Sequence, residues 1–269
     1  MSLFKVKDKL DTQIYRVFNV LSDVYYCINP GVRVVVQRNR AYKNIHLGER
    51  CFILGTGPSI NSITLAQIDK LRSEFVFGVN SLYKSEHLRT VMPRYYCLLD
   101  NVYSFQYANE FQNVLNAYEE RPPTLIANYS AKTAIDKIGI KSRVIYLYGK
   151  KFPATKTSSR IDRNMFISMN VVGSAILSAI YMGFKQVYLL GCDYNLFCKR
   201  ASNHCYDDSQ EKFYSENLAF YLKFYGLTTE FHYLTAQHAK EEGAEIVNLT
   251  QDSLLDAYPR ARIGSIFST

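Results

Sequence analysis

The chain has 269 residues, 48% of them hydrophobic, enough to bury a substantial core and too apolar for a disordered polymer. Its net charge of +8, five units of which fall within residues 1–50, points to an anionic partner such as a membrane surface, a nucleotide or a nucleic acid. The six cysteines (Cys27, Cys51, Cys97, Cys192, Cys198 and Cys205) include no Cys-x-x-Cys pair, so zinc ribbons and redox dithiols are unsupported and a reducing cytoplasm fits best.

Residues 1–28 place Leu10, Ile14, Val17, Phe18, Leu21 and Val24 at a helical period among lysines and arginines, and Asn29-Pro30-Gly31 ends the pattern. An amphipathic helix is expected, its apolar stripe packed on the protein or, alternatively, docked on lipid. No stretch reaches the about 20 apolar residues of a membrane span, and the amino terminus has no secretory apolar core, so any membrane contact would be peripheral. Val32 to Val36 reads as a short β-branched strand, and Gln37 to Arg50 as a polar approach to the central turn.

The stretch that organises the rest is Cys51-Phe52-Ile53-Leu54-Gly55-Thr56-Gly57-Pro58-Ser59. Its apolar run stops at a glycine-rich turn, and an amphipathic helix comes next, from about Ile63 to Leu71. Glycine serves where a side chain would block a turn or a ligand, and proline ends the strand. Turn amides pointing past the carboxyl end of a strand can hold phosphate. The other reading of the same residues is a compact connection with no ligand.

Phe75 to Val79, Tyr95 to Leu99, Thr124 to Ala127 and Arg143 to Tyr148 read as buried strands, with a long helix from Tyr103 to Glu119 between the second and third of them. Strands alternating with helices predict a Rossmann-like α/β fold, a mainly parallel sheet with helices on both faces. Ligands in such sheets collect at the carboxyl ends of the strands, where Asn80, Asp100 and Asn128 would stand; each can equally be a turn former capping its own backbone. Gly149 to Ser168, with Lys150, Lys151, Lys156, Arg160 and Arg163, is either a basic lid or a solvated loop.

Asn170 to Met182 is small and apolar, a helix packed closely on the sheet. Val187 to Leu190 is a strand ending on Gly191-Cys192-Asp193-Tyr194-Asn195, which adds a carboxylate to the rim. His204, Tyr206, Asp207 and Asp208 lie beyond it in a polar segment. Helices are expected over Gln210–Tyr225 and Thr229–Glu242, a last strand over Ala244–Leu249 and a short terminal helix over Ser253–Tyr258. The simplest partition is a helical extension, 1–48, before one catalytic domain, 49–269.

Three segments, 51–59, Gly78-Val79-Asn80-Ser81-Leu82-Tyr83 and Gly183-Phe184-Lys185-Gln186-Val187-Tyr188-Leu189-Leu190-Gly191-Cys192-Asp193-Tyr194, resemble bacterial sialyltransferases of glycosyltransferase family 42. They are equally similar to the family named for 6-hydroxymethylpterin pyrophosphokinase, the MptE-like proteins, many of whose bacterial members belong to surface-polysaccharide pathways. The resemblance spans about residues 50–258 and implies a nucleotide-binding variant of the GT-A glycosyltransferase fold. In family 42 the donor is a CMP-sugar and no metal is needed.

Carried over, the resemblance puts the nucleotide against Gly55, Thr56, Gly57, Pro58, Ser59, Asn80 and Asp100, with Ser174 beyond. Family 42 has asparagine where this chain has Asp100, and an arginine within the segment that is here Ser168-Met169-Asn170-Val171-Val172. One of its two phosphate-assisting tyrosines corresponds to Asn195, and Tyr206 replaces the other only with a shifted loop. Its catalytic histidine has no counterpart near Gly226, which leaves His204 and His232 as the nearest candidates.

Sugar transfer to a hydroxyl requires a base for the acceptor proton and dipoles or cations on the departing phosphate. His204 is the preferred base, beside Asp193, with Tyr206 and Lys156 or Arg160 meeting the phosphate; the plain alternative is a surface histidine in a polar loop. The leading expectation is therefore a CMP-sugar-dependent transferase acting on a surface glycan, cytoplasmic or peripheral on the inner membrane face, with self-association compatible. The alternatives are a pyrophosphokinase holding Mg²⁺ on ATP through Asp100 and Asp193, and a non-catalytic nucleotide-binding subunit. No nucleic-acid module accompanies the charge, so nucleic acid is not an expected partner.

Overall fold

The computed structural model describes residues 3–150, 155–167, 170–198, 204–208 and 217–267. Seven parallel strands form the main sheet: β1 (Arg50–Leu54), β2 (Phe75–Val79), β3 (Tyr95–Leu98), β4 (Thr124–Asn128), β5 (Val144–Leu147), β8 (Gln186–Leu190) and β9 (Glu245–Asn248). A separate parallel pair, β6 (Gly149–Lys150) and β7 (Met165–Phe166), lies outside it. The order across the sheet is β5-β4-β3-β2-β1-β8-β9, so the chain leaves β1 in one direction and returns to its other edge more than a hundred residues later, where Cys51 faces Val187. That reversal beside β1 is where α/β sheets open a crevice.

The helices are α1 (Leu3–Ile28), α2 (Pro30–Gln37), α3 (Leu65–Leu71), α4 (Glu110–Ala117), α5 (Lys132–Ile138), α6 (Val171–Met182), α7 (Leu218–Glu241) and α8 (Ile263–Phe267). Alternate residues along the strands feed two cores. Cys51, Ile53, Phe77 and Cys97 face α6, while Phe52, Leu54, Val76 and Tyr96 face α3, α4 and α5. Nearly every residue of α6 is buried, as its small apolar composition predicts. Helix α3 starts on a capping box: Thr64 accepts from the Gln67 amide and the Gln67 side chain accepts from the Thr64 amide.

Several expected elements differ. Val32–Val36 is helical, not a strand. Asn29 caps the Val32 amide, Pro30 occupies the first turn, and Val32 and Val36, four apart, share the buried face. The Tyr103–Glu119 helix shrinks to α4, because Asp100 caps a 3-10 turn over Asn101–Ser104 instead. The helix expected from Thr229 is the second half of α7, which begins at an Asn217 cap; Gln210–Glu216 of the expected preceding helix lie outside the described residues. Ser253–Tyr258 is non-helical, its loop pinned by Asn248 and Ser253, and the terminal helix is α8.

Helix α1 reverses an expectation. Among its contacts with the rest of the molecule are those of Ser22, Asp23, Tyr25 and Tyr26. Asn164 donates to Ser22 and Asp23, Lys150 pairs with Asp23 at 2.7 Å, and Tyr26 is buried against Val32, Val36 and Tyr148. The stripe of Leu10, Ile14, Val17, Leu21 and Val24 therefore faces solvent. No helix among the described residues is long and apolar enough to cross a membrane.

Candidate active site

The Gly55–Ser59 turn and Asp193, 134 residues beyond Ser59, meet at the carboxyl ends of β1 and β8. Ser59 Oγ donates to Asp193 Oδ2 at 2.6 Å and the Ser59 amide to Oδ1 at 3.3 Å. Glycine is required at 57 by space: a Cβ there would lie 1.9 Å from Asp193 Oδ2 and 2.7 Å from the Gly191 carbonyl oxygen. The backbone at Gly57 is ordinary extended chain, so the constraint is steric and not torsional.

The expectation that this turn presents a row of outward amides does not hold. Gly55 N–H donates to Leu190 O, Gly57 N–H to Gly191 O and Ser59 N–H to Asp193, while Pro58 has none. Only the Thr56 amide has no protein partner among the described residues. Asp193, placed among the catalytic groups by its strand-end position, has both oxygens on Ser59 and is almost wholly buried. It is the clamp that holds the turn to β8.

A cavity of about 380 Å³ opens beside this clamp, within the range of about 300–1,000 Å³ for small-ligand sites. Gly55, Thr56, Gly57, Asn80, Asp100, Asp193 and His204 line it together with residues of α6 and α7. Asn80 and Tyr194 in its wall both have left-handed backbone, at φ 48° and 58°. Tyr96 holds Asn80 there by donating to its carbonyl at 2.8 Å. Non-glycine residues kept in this region cost free energy that the surroundings must offset, and such positions concentrate at functional sites.

His204 enters on a segment docked to the turn: Cys205 N–H donates to Thr56 O at 2.8 Å, and Asn61 donates to Cys205 O at 3.2 Å. His204 Nδ1 lies 2.9 Å from Asp208 Oδ2, and the ring stacks on Tyr206 at 5.0 Å between centroids. A carboxylate only accepts, so it holds the proton on Nδ1 and leaves Nε2 as the basic nitrogen. Sequence reasoning missed this role for Asp208, because its pairing with His204, four positions away, occurs outside any helix. Tyr206, expected to meet a phosphate, is instead buried, does not line the cavity and serves as the platform under the histidine, with Lys84 Nζ 5.5 Å from its ring centre.

The far wall is aromatic. Tyr194 packs edge-on against Tyr225 at 4.7 Å and against His232 at 5.6 Å, and its hydroxyl bonds to Thr228. His232 is fully buried, with Nδ1 bonded to Tyr258 at 2.8 Å and Nε2 left without a partner; burial pushes its pKa down to about 3, so the ring is neutral. Cys192 also lines the cavity, but burial pushes its thiol up to about 12, which removes it as a nucleophile. Asn170, Val171 and Val172 bring the amino-terminal end of α6 to the opposite side, with Asn170 capping Val172 and Gly173.

Other expected ligand groups are elsewhere. Ser174 is buried within α6, its hydroxyl unpartnered and outside the cavity. Asn128 caps the Ser130 amide and does not reach it. Asp100 lines the rim while capping Val102 at 3.2 Å. Arg160 is no lid residue: its Nε and Nη2 donate to the two oxygens of the buried Asp162, holding that carboxyl below the usual carboxylate range. Its segment is fastened by Asn39 donating to Ile161 O and Ser159 N–H donating to His238. Lys156 is exposed outside the cavity, and no lysine or arginine among the described residues lines it. Lys151 of the expected basic lid lies outside the described residues.

The family model for 6-hydroxymethylpterin diphosphokinase MptE-like proteins matches residues 22–196, from the end of α1 through β8 and its Asp193 clamp. The chain belongs to the MptE-like family. No curated protein sequence matches it. Among solved structures, this MptE-like chain is similar to the sialyltransferase CstII from Campylobacter jejuni bound to the substrate analogue CMP-3FNeuAc. The identity is 15%, covering 79% of this chain and 85% of that one, with a TM-score of 0.46. It is also similar to the MAf glycosyltransferase from Magnetospirillum magneticum AMB-1, at 16% identity and a TM-score of 0.47, covering 87% of this chain and 39% of that one.

Proposed function

We propose that the protein transfers a sugar from a nucleotide donor, a CMP-sugar by preference, to a glycan hydroxyl. The observation that carries this reading is His204, paired with Asp208, lining the same cavity as the glycine turn and the left-handed Asn80. In this reading His204 Nε2 takes the proton of the acceptor hydroxyl as the new glycosidic oxygen–carbon bond forms and the bond to the nucleotide phosphate breaks. Asp208 steadies the imidazolium that results.

The leaving phosphate is met by dipoles instead of side-chain cations: the Thr56 amide and the amino-terminal end of α6. Asn80, with no side-chain partner among the described residues, offers both donor and acceptor to the nucleotide.

The family's name favours a second reading, diphosphate transfer from ATP to a hydroxymethyl group. That reaction calls for Mg²⁺ on the phosphates, and the residues fit it poorly. Such a site needs one or two carboxylates free to join the phosphates, and here Asp193 is turned onto Ser59 and Asp100 caps Val102.

A thermal-shift series with CMP, UDP, GDP and ATP, each with and without magnesium, separates the two, since a ligand that prefers the native state raises the melting temperature. Stabilisation by CMP without magnesium supports sugar transfer. Stabilisation by ATP only with magnesium, and none by CMP, would overturn it. His204→Ala should keep CMP affinity and lower transfer by about 10²–10⁴-fold.

A further inference from the structure

Six of the apolar residues of α1 obey a stricter rule than amphipathicity. Leu10, Ile14, Val17, Leu21, Val24 and Ile28 are spaced four, three, four, three and four apart, the 3.5-residue repeat of a coiled-coil seam; Lys7 takes the preceding seam position and Leu3 the one before it. All six are 50–72% exposed. The helix cannot turn them inward, because its other face is fastened: Ser22 and Asp23 to Asn164, Asp23 to Lys150, and Tyr26 into a small core with Val32 and Val36.

We propose that this seam is a self-association surface, covered in solution by the α1 of a second copy of the chain. The six side chains leave on the order of 600 Å² of apolar surface bare, the upper end of the roughly 300–600 Å² patches of ordinary monomers, before the flanking Phe18 and Val20 are added. Two such faces together reach about 1,200 Å², where specific interfaces begin. At 26 residues the helix is about 39 Å long, enough for more than three heptads. The spacing favours a helix as the occupant over a lipid surface. Lipid accepts any broad apolar arc and would have to admit Lys7 on the same stripe, whereas a coiled coil needs the repeat and uses a single charged seam residue to set register. This inference concerns a surface away from the nucleotide cavity and does not depend on the reaction assigned there.

The test is sedimentation equilibrium of the full chain from about 1 to 100 μM, with the double variant Ile14→Glu, Leu21→Glu alongside. Wild type should show twice the chain mass or more, and the variant the single-chain mass with an unchanged melting transition. A milder pair, Leu21→Gln and Val24→Gln, should raise the dissociation constant by at least tenfold, and it covers the case in which glutamate prevents folding. Wild type that stays at single-chain mass across the range would overturn the proposal. So would folded variants that associate as wild type does, or a single-chain wild type that co-sediments with phosphatidylglycerol vesicles through the same residues.

Discussion

Replacing Gly57 with alanine probes the contact that joins the front of the chain to its far part. The backbone at Gly57 suits alanine, so nearly all the cost is the collision of the new methyl with Asp193 Oδ2, 1.9 Å away, and Gly191 O, 2.7 Å away. The carboxylate has to move, and it loses the bonds from the Ser59 amide and hydroxyl. Two hydrogen bonds to a charged acceptor at about 1.5–3 kcal/mol each give about 3–6 kcal/mol, roughly 10 °C in melting temperature for a chain of this size. Asp193→Ala alone should cost about 3–6 kcal/mol through the same two bonds. Because the two substitutions act on one contact, Gly57→Ala with Asp193→Ala should cost less than the sum by at least about 1.5 kcal/mol. Urea denaturation monitored by far-ultraviolet circular dichroism gives all three values. A Gly57→Ala protein within about 0.5 kcal/mol of wild type, or an additive double variant, would refute the clamp.

Asp208→Asn should leave CMP affinity within about twofold and lower the transfer rate by about 10²-fold or more, because an amide can stabilise the wrong histidine tautomer; single-turnover rates across pH 5–9 measure it. Ser174→Ala should leave nucleotide affinity unchanged and stabilise by about 0.5–1 kcal/mol, since it removes a buried hydroxyl with no partner, and loss of nucleotide binding would return Ser174 to the site. His232 gives a signed pH effect. Its folded pKa of about 3 lies below the unfolded value of about 6.5, so the stability present above pH 6.5 is lost as pH falls from there towards 3. His232→Gln should flatten that decline in urea titrations at successive pH values, and an equally steep decline would contradict a neutral buried ring.

The strands are readable because each is a short, doubly buried apolar run, and β2, bounded as expected at Phe75–Val79, is the plainest case. Val32–Val36 misleads because β-branching reflects side-chain preference, while the Asn29 cap and the i, i+4 burial of two valines decide for helix. At the site, the meeting of the glycine turn with Asp193 is legible from strand-end position alone. What the two do to each other is not: a carboxylate that accepts from Ser59 and a carboxylate free for a ligand have the same sequence. The roles of Asp208 and the Tyr206 platform depend on the path of an irregular loop, which no periodicity encodes. The outward stripe of α1 misleads because a helical period says that one face is apolar and nothing about which face the protein uses.

Strand β1 takes both its neighbours from parallel pairings, and the later one closes only after more than a hundred intervening residues. During synthesis at about 5–20 residues per second, Ser59 would wait about 7–27 s for Asp193, 134 positions behind it, to be made. Through that interval the glycine corner has no companion and one flank of β1 is an open edge able to pair with another chain. A nascent chain halted before residue 186 should therefore stay a client of holding chaperones, and the cavity beside the glycine corner should come into being all at once, late, when β8 slides in beside β1.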